Sequence, residues 1–168
     1  MTSIRESDAV ARIVEQWRRE KPELDTSVMG MFGRLQRCSL LLEPMLLREY
    51  KKYELVTWEF DMLATLRRAG EPFILTPTEL FSTLMITSGT MTHRLKLLEA
   101  RGLISREPNP EDARSMRVKL SDAGRKLIDS AIVTHVENQH KIAATMPADK
   151  LRQLDELLAE FLNCLEQK

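Results

Sequence analysis

The strongest constraint on how this chain folds is the run Thr76-Pro77-Thr78-Glu79. A threonine followed by proline, with glutamate three residues on, satisfies the first free amides of a helix reciprocally and pre-sets its first backbone angle, so a helix starts here. It is short, running to about Leu84. The turn Met85-Ile86-Thr87 leads into a second helix from Ser88 to Ala100, with Met91, Leu95 and Leu98 spaced along one inward face. Gly102 stops that helix in the left-handed conformation that such an end prefers. Leu103 to Arg106 and Met116 to Leu120 read as two short strands, joined by the polar loop Glu107 to Ser115 with its two prolines and four charges. Two helices in tight succession followed by a hairpin form a winged helix-turn-helix, whose second helix is shaped to enter a DNA major groove while the hairpin loop reaches sideways.

Helices are predicted on both sides of this head. Asp8 to Glu20 places Val10, Ile13, Val14 and Trp17 on one stripe, and Pro22 ends it. A second helix starts near Asp25 or Thr26 and runs to about Lys52 with Met31, Leu35, Leu42, Leu46 and Leu47 as its apolar residues, and Pro44 is expected to kink it. Thr57 suits the cap of a third, whose first turn carries Glu59 and whose core face is Phe60, Leu63, Ala64 and Leu66; Gly70 and Pro72 close it. Beyond the hairpin, Ser121 caps a long sixth helix to about Thr145, and Pro147 with Asp149 opens a seventh. The seventh carries a broad stripe of Leu151, Leu154, Leu157, Leu158, Phe161, Leu162 and Leu165, so it packs either on its own domain or across a twofold axis. The fold class is mainly α with a small β-wing.

Composition removes several function classes. A chain of 168 residues suits one domain with helical extensions and is too short for two ordinary enzymatic domains. No nucleophile elbow, phosphate-binding loop, paired-carboxylate site or metal cluster is visible, which argues against an enzyme. His93, His135 and His140 have no metal-ligand spacing, and no cofactor is expected. Cys38 and Cys164 are too few and too far apart for a disulfide scaffold and read as two buried thiols in a reducing compartment. The charged N-terminus Met1 to Arg12 is unlike a signal peptide, and the most apolar stretch, Leu40 to Leu47, is interrupted by Glu43 and Pro44. The expectation is a cytoplasmic protein with no membrane partner.

Net charge is zero, yet the charge is unevenly spread. Residues 87–117 hold six bases (Arg94, Lys96, Arg101, Arg106, Arg114, Arg117) against four acids (Glu99, Glu107, Glu111, Asp112). Residues 137–168 hold six acids against four bases, the polarity expected of a DNA reader with a distal assembly region. On the second helix of the head, Thr90, Thr92 and His93 suit base edges, and Arg94 and Lys96 suit guanine or phosphate. Thr78, Ser88 and Arg117 complete the candidate contacts drawn from the helix pair and wing.

The segments Leu75-Thr-Pro-Thr-Glu-Leu80, Ser88-Gly-Thr-Met-Thr-His-Arg-Leu95, Leu98-Glu-Ala-Arg-Gly-Leu103, Pro110-Glu-Asp-Ala-Arg114 and Leu120-Ser-Asp-Ala-Gly-Arg125 together resemble the MarR family in order and spacing, over about residues 28 to 165. The resemblance implies a homodimer with interleaved terminal helices on a palindromic operator in double-stranded DNA, usually a repressor released by a small molecule or by oxidation. Asp112 and Arg114 match the family's Asp-x-Arg wing motif, where the arginine enters the minor groove and the aspartate helps hold it. Ala113 departs from the commoner arginine, and His93 stands where the family often has Arg or Lys, so operator sequence and affinity are its own. The expected division is residues 1–53 for N-terminal helices that dimerise and form part of a ligand cleft, 54–121 for the DNA-binding domain and 122–168 for C-terminal dimerisation helices.

Family ligands usually bind between the dimer helices and the DNA head, which directs attention to Tyr50, Tyr53, Trp58 and Asp61. An N-terminal helix bearing Trp17, combined with Asp61, resembles the urate-responsive subgroup, so the expected effector is a planar aromatic acid or phenol. The competing reading is that these aromatics only pack. Two other functions compete: a redox-sensing regulator acting through Cys38, with Arg34 or Arg37 nearby, and a helical interaction adaptor that keeps the fold without reading DNA.

Overall fold

Helix α1 (Ala9–Glu20) starts where the Asp8 carboxylate accepts the Ala11 amide at 2.8 Å and ends on Arg18 and Arg19, cations at the negative end of the helix. The computed structural model describes residues 8–84, 88–110 and 112–167, divided into two compact units between Leu46 and Leu47. In the first unit, Arg34 of helix α2 (Met29–Tyr50) donates to the same Asp8 carboxylate at 2.7 Å, tying the start of α1 to α2. That guanidinium and the Ala11 amide hold the carboxyl below its usual range. Helix α2 begins later than expected and includes Pro44; a 3₁₀ turn, Lys51–Tyr53, continues its end.

The second unit is built around helix α3 (Thr57–Arg68), which is covered by helix α4 (Pro77–Leu84), helix α6 (Asp122–Ala143) and strand β3 (Asp112–Leu120). Because neighbours lie on several sides, burial exceeds the predicted face: Met62 is as buried as Leu63 and Leu66. Thr57 does not cap this helix. Val56 holds the cap position and has no hydroxyl to offer, and the Glu59 carboxylate accepts its amide at 3.1 Å instead. The Thr76 box forms as expected, with Glu79 N–H donating to Thr76 Oγ1 at 3.2 Å and Thr76 N–H to the Glu79 carboxylate at 2.7 Å. The Thr76 amide and hydroxyl both donate to the Glu79 carboxylate, which lowers its pKa.

Helix α5 (Ser88–Ala100) buries Met91, Leu95 and Leu98, and Gly102 ends it with φ of +68°. The turn predicted at Met85-Ile86-Thr87 lies outside the described residues. The wing is larger than the sequence suggests. Strand β2 (Ile104–Asn109) and β3 stay paired almost to the tip, so most of the stretch expected as loop is ladder. Pro108 is tolerated because β2 is the sheet edge, and the register slips next to it, between Pro108 and Asn109. A two-residue strand, β1 (Ile74–Leu75), pairs with the other side of β3, giving the order β1-β3-β2. Two residues are too few for periodicity to reveal.

Ser121 joins head and arm. Its hydroxyl donates to Gly102 O at 2.7 Å and accepts the Gly124 amide at 2.9 Å, so the stop of α5 and the start of α6 share one side chain. Gly124 is required there, since a Cβ would lie 2.1 Å from Leu103 O. Helix α7 (Ala148–Glu166) buries none of its residues within the chain. Cys38 and Cys164 are free and exposed, not buried: each lies on a face of α2 or α7 that this chain leaves open. Among the described residues, no helix is long and apolar enough to cross a membrane.

Candidate nucleic-acid interface

Leu95 and Leu98 anchor the inner side of α5, which leaves Thr92, His93 and Lys96 exposed on the outer side and Thr90 half-buried. Thr78, in the first turn of α4, is also exposed. These residues place hydroxyl, imidazole and ammonium groups on the surfaces of the two helices. The backbones at Ser88, Asp112 and Arg114 belong to α5 and β3, while their side chains lie outside the described residues.

Arg94 and Arg117 are placed differently from simple outward cations. The Arg94 guanidinium carbon lies 5.2 Å from the centre of the Trp58 ring, a cation–π contact to α3, and the residue is half-buried. Arg117 is half-buried in an ion pair with Glu107, its cross-strand partner in the wing, and its Nε is buried without a hydrogen-bond partner. Neither placement was legible in spacing alone, because a nearest partner depends on the tertiary path.

Ion pairs fix the far end of α5. Arg101 donates to the buried Glu59 carboxylate at 2.7 Å, so one acid both caps α3 and receives the residue that follows α5. Arg106 of β2 donates its Nε to Glu99 at 3.0 Å; that contact lowers the Glu99 pKa and raises that of Arg106. Helix α5 is thus held by its apolar face, by α3 and by the wing.

The candidate ligand residues divide into two kinds. Tyr50 is core: it stacks on Phe60 at 4.2 Å between ring centres, and its hydroxyl lies 3.0 Å from Nδ1 of His135. Burial pushes its pKa up to about 12. The Tyr53 hydroxyl donates to Ser130 O at 3.1 Å and also contacts Thr134 Oγ1, docking the 3₁₀ turn on α6. Trp58 is half-buried beneath Arg94, and Asp61 retains an open surface. Yet enough protein surrounds the Asp61 carboxyl to strip part of its hydration, which raises its pKa, against the pull of His135, Arg68 and Arg94. Trp17 belongs to the other unit, where its side of α1 is exposed.

His135 is the member that sequence reasoning missed. It follows Ile128 and Ala131, both buried, at the spacing of one α6 face, and this was the available signal. Burial lowers its pKa and the nearby Asp61 charge opposes that shift.

A short capped helix, a second helix locked at its base and a paired wing define a winged helix-turn-helix protein. The MarR family profile matches residues 55–115, which span the head and most of the wing. The HTH-type transcriptional regulator PecS of Dickeya dadantii (strain 3937) is 41% identical over 149 residues, covering 89% of this chain and 90% of that protein. Wild-type MarR from E. coli in its apo form is 26% identical with a TM-score of 0.67, over 77% of this chain and 96% of that one. A mutant MarR from E. coli complexed with operator DNA superposes with a TM-score of 0.71 at 24% identity, over 87% and 97% of the two chains. The chain belongs to the MarR family of winged-helix transcriptional regulators, and that membership sets the enzyme reading aside.

Proposed function

We propose that this protein is a homodimeric repressor that binds a palindromic DNA operator and leaves it when a small planar aromatic or phenolic ligand binds. The observation that carries the dimer is α7, none of whose described residues is fully buried and which leaves Leu151, Leu154, Leu157, Leu158, Leu162 and Leu165 exposed. A stripe of that length is stable in water only when another surface covers it, and a twofold axis lets the same stripe cover itself. The paired heads then lie about one DNA turn apart, roughly 34 Å, and each places α5 in a major groove. The operator complex of the E. coli MarR mutant, with the same fold, supports this docking. Thr92, His93 and Lys96 address bases and phosphates, and Arg114 at the wing enters the minor groove with Asp112 beside it. Acting on DNA, the protein works in the cytoplasm.

The ligand reading draws on Trp58, Asp61 and Arg94, which gather an indole face, a partly desolvated carboxyl and a guanidinium next to the reading helix. A planar acid displacing Arg94 from Trp58 acts directly on α5. Calorimetric titration with salicylate and urate tests this; absence of heat, with operator binding unaffected, overturns it.

Gel-shift titration on the promoter fragment beside the protein's own gene tests the docking. Arg114→Ala is expected to weaken binding and reduce the salt slope by about one ion, and Thr92→Ala to change base preference with little loss of non-specific binding. Parent-like binding by both variants contradicts the docking.

A further inference from the structure

We propose that Phe73 is a positioning residue for DNA binding, which sets the angle of the wing against α3 and α6. The inference rests on the docking described above, in which the wing tip enters the minor groove.

Three elements converge on this residue. Its ring is buried, and two guanidinium carbons lie over it, Arg67 of α3 at 4.9 Å and Arg125 of α6 at 5.3 Å from its centre. Two cations on one ring repel each other, and the Asp129 carboxylate offsets this, accepting from Arg67 Nε at 2.6 Å and pairing with Arg125 Nε at 3.8 Å. Glu71 adds a weaker pair with Arg125 at 3.9 Å. The backbone is gripped as well: Phe73 N–H donates to Gly70 O at 2.7 Å, and Leu120 N–H donates to Phe73 O at 3.0 Å. Leu120 is the last residue of β3, so the root of the wing is hydrogen-bonded to the clamped residue itself.

The backbone conformation shows that the grip is more than packing. Phe73 has φ of +60°, in a region a bulky side chain rarely adopts. Such a state persists only where its surroundings over-determine it, and here a ring clamp and two backbone bonds do so. The lever arm explains why the angle matters. At about 3.3 Å per residue, the eight steps from Leu120 to Asp112 span roughly 26 Å, so a rotation of about 5° at the root moves the tip by about 2 Å. That displacement is enough to withdraw an arginine from a narrow groove, while α5, tied to the wing only near its root through Glu99 and Arg106 and held in the core by Leu98 and the Arg101–Glu59 pair, moves far less than the tip.

Hydroxyl-radical footprinting of the operator separates the two regions of contact. The parent is expected to protect the central half-sites, read by α5, and the flanking minor grooves, read by the wing. In Phe73→Leu and Arg67→Gln the flanking protection is expected to fade at protein concentrations that still protect the centre, with affinity reduced about tenfold. Phe73→Tyr, which keeps the ring, retains both. Arg125→Gln alters only an exposed end of the clamp and gives the same separation even if Phe73→Leu fails to fold. Centre and flank weakening together in Arg67→Gln and Arg125→Gln, or staying as in the parent, overturns the proposal. A parent that protects no flank overturns the docking, and this inference with it.

Discussion

His135 illustrates how much one residue carries. Its ring centre lies 4.9 Å from that of Phe60 and its Nδ1 3.0 Å from the Tyr50 hydroxyl, so α2, α3 and α6 meet on it. Burial holds its pKa below the ordinary 6.5. The unfolded chain therefore takes up the proton first as pH falls, and the stability His135 contributes is present above about 6.5 and lost below it. Asp61 shifts the other way: burial raises its pKa above 3.8, so as pH falls towards 3.8 the folded protein takes up that proton first, which works against the loss at His135. Thermal melts at about pH 7.5 and 5.5 are expected to show a lower Tm in acid, and His135→Phe to narrow the difference; an unchanged difference contradicts the assignment. At Leu98, fully buried beneath α5, alanine is expected to cost about 3 kcal/mol in denaturant titration, the usual loss for a buried leucine. Leu98 was legible from spacing because the apolar pattern of α5 is regular. His135 was not, since a histidine on a buried face is read from sequence as neither core nor site until its partners are known.

Among the elements, those with capping chemistry were readable and those made by distant pairing were not. The Thr76 box, the Gly102 stop and the Ser121 cap are local, so four or five residues specify each. Strand β1 exists only because β3 lies beside it, and the wing ladder extends towards the tip because Glu107 meets Arg117 across it. The polar composition of that stretch suggested a loop, whereas cross-strand pairing made it sheet. The partners of Arg94 and Arg117 were hidden for the same reason. Helix α7 was legible as an apolar stripe, and the structure adds that, among the described residues, none of its side chains is buried. A glutamate at Leu158, exposed in the single chain, should therefore leave the fold intact and separate the dimer. Analytical ultracentrifugation checks this: a folded monomer by circular dichroism is the expected result, and an unaltered mass contradicts the role given to α7.

For the whole molecule, zero net charge conceals an uneven spread between the more basic winged head and an acidic C-terminal arm. Ser121 connects the two, sharing its hydroxyl between the end of α5 and the start of α6, so in the proposed dimer the separation of two heads follows from how the arms pair. In that proposed dimer, rigid spacing is the property that turns a single weak reader into an operator-specific one. The most direct measurement is gel-shift affinity for the palindromic operator against the same operator with five base pairs inserted between its half-sites, which places them about half a turn out of phase. A clamped dimer is predicted to lose at least about a hundredfold in affinity and to fall towards its non-specific binding. Equal affinity for both fragments, with one chain bound per half-site, contradicts the account.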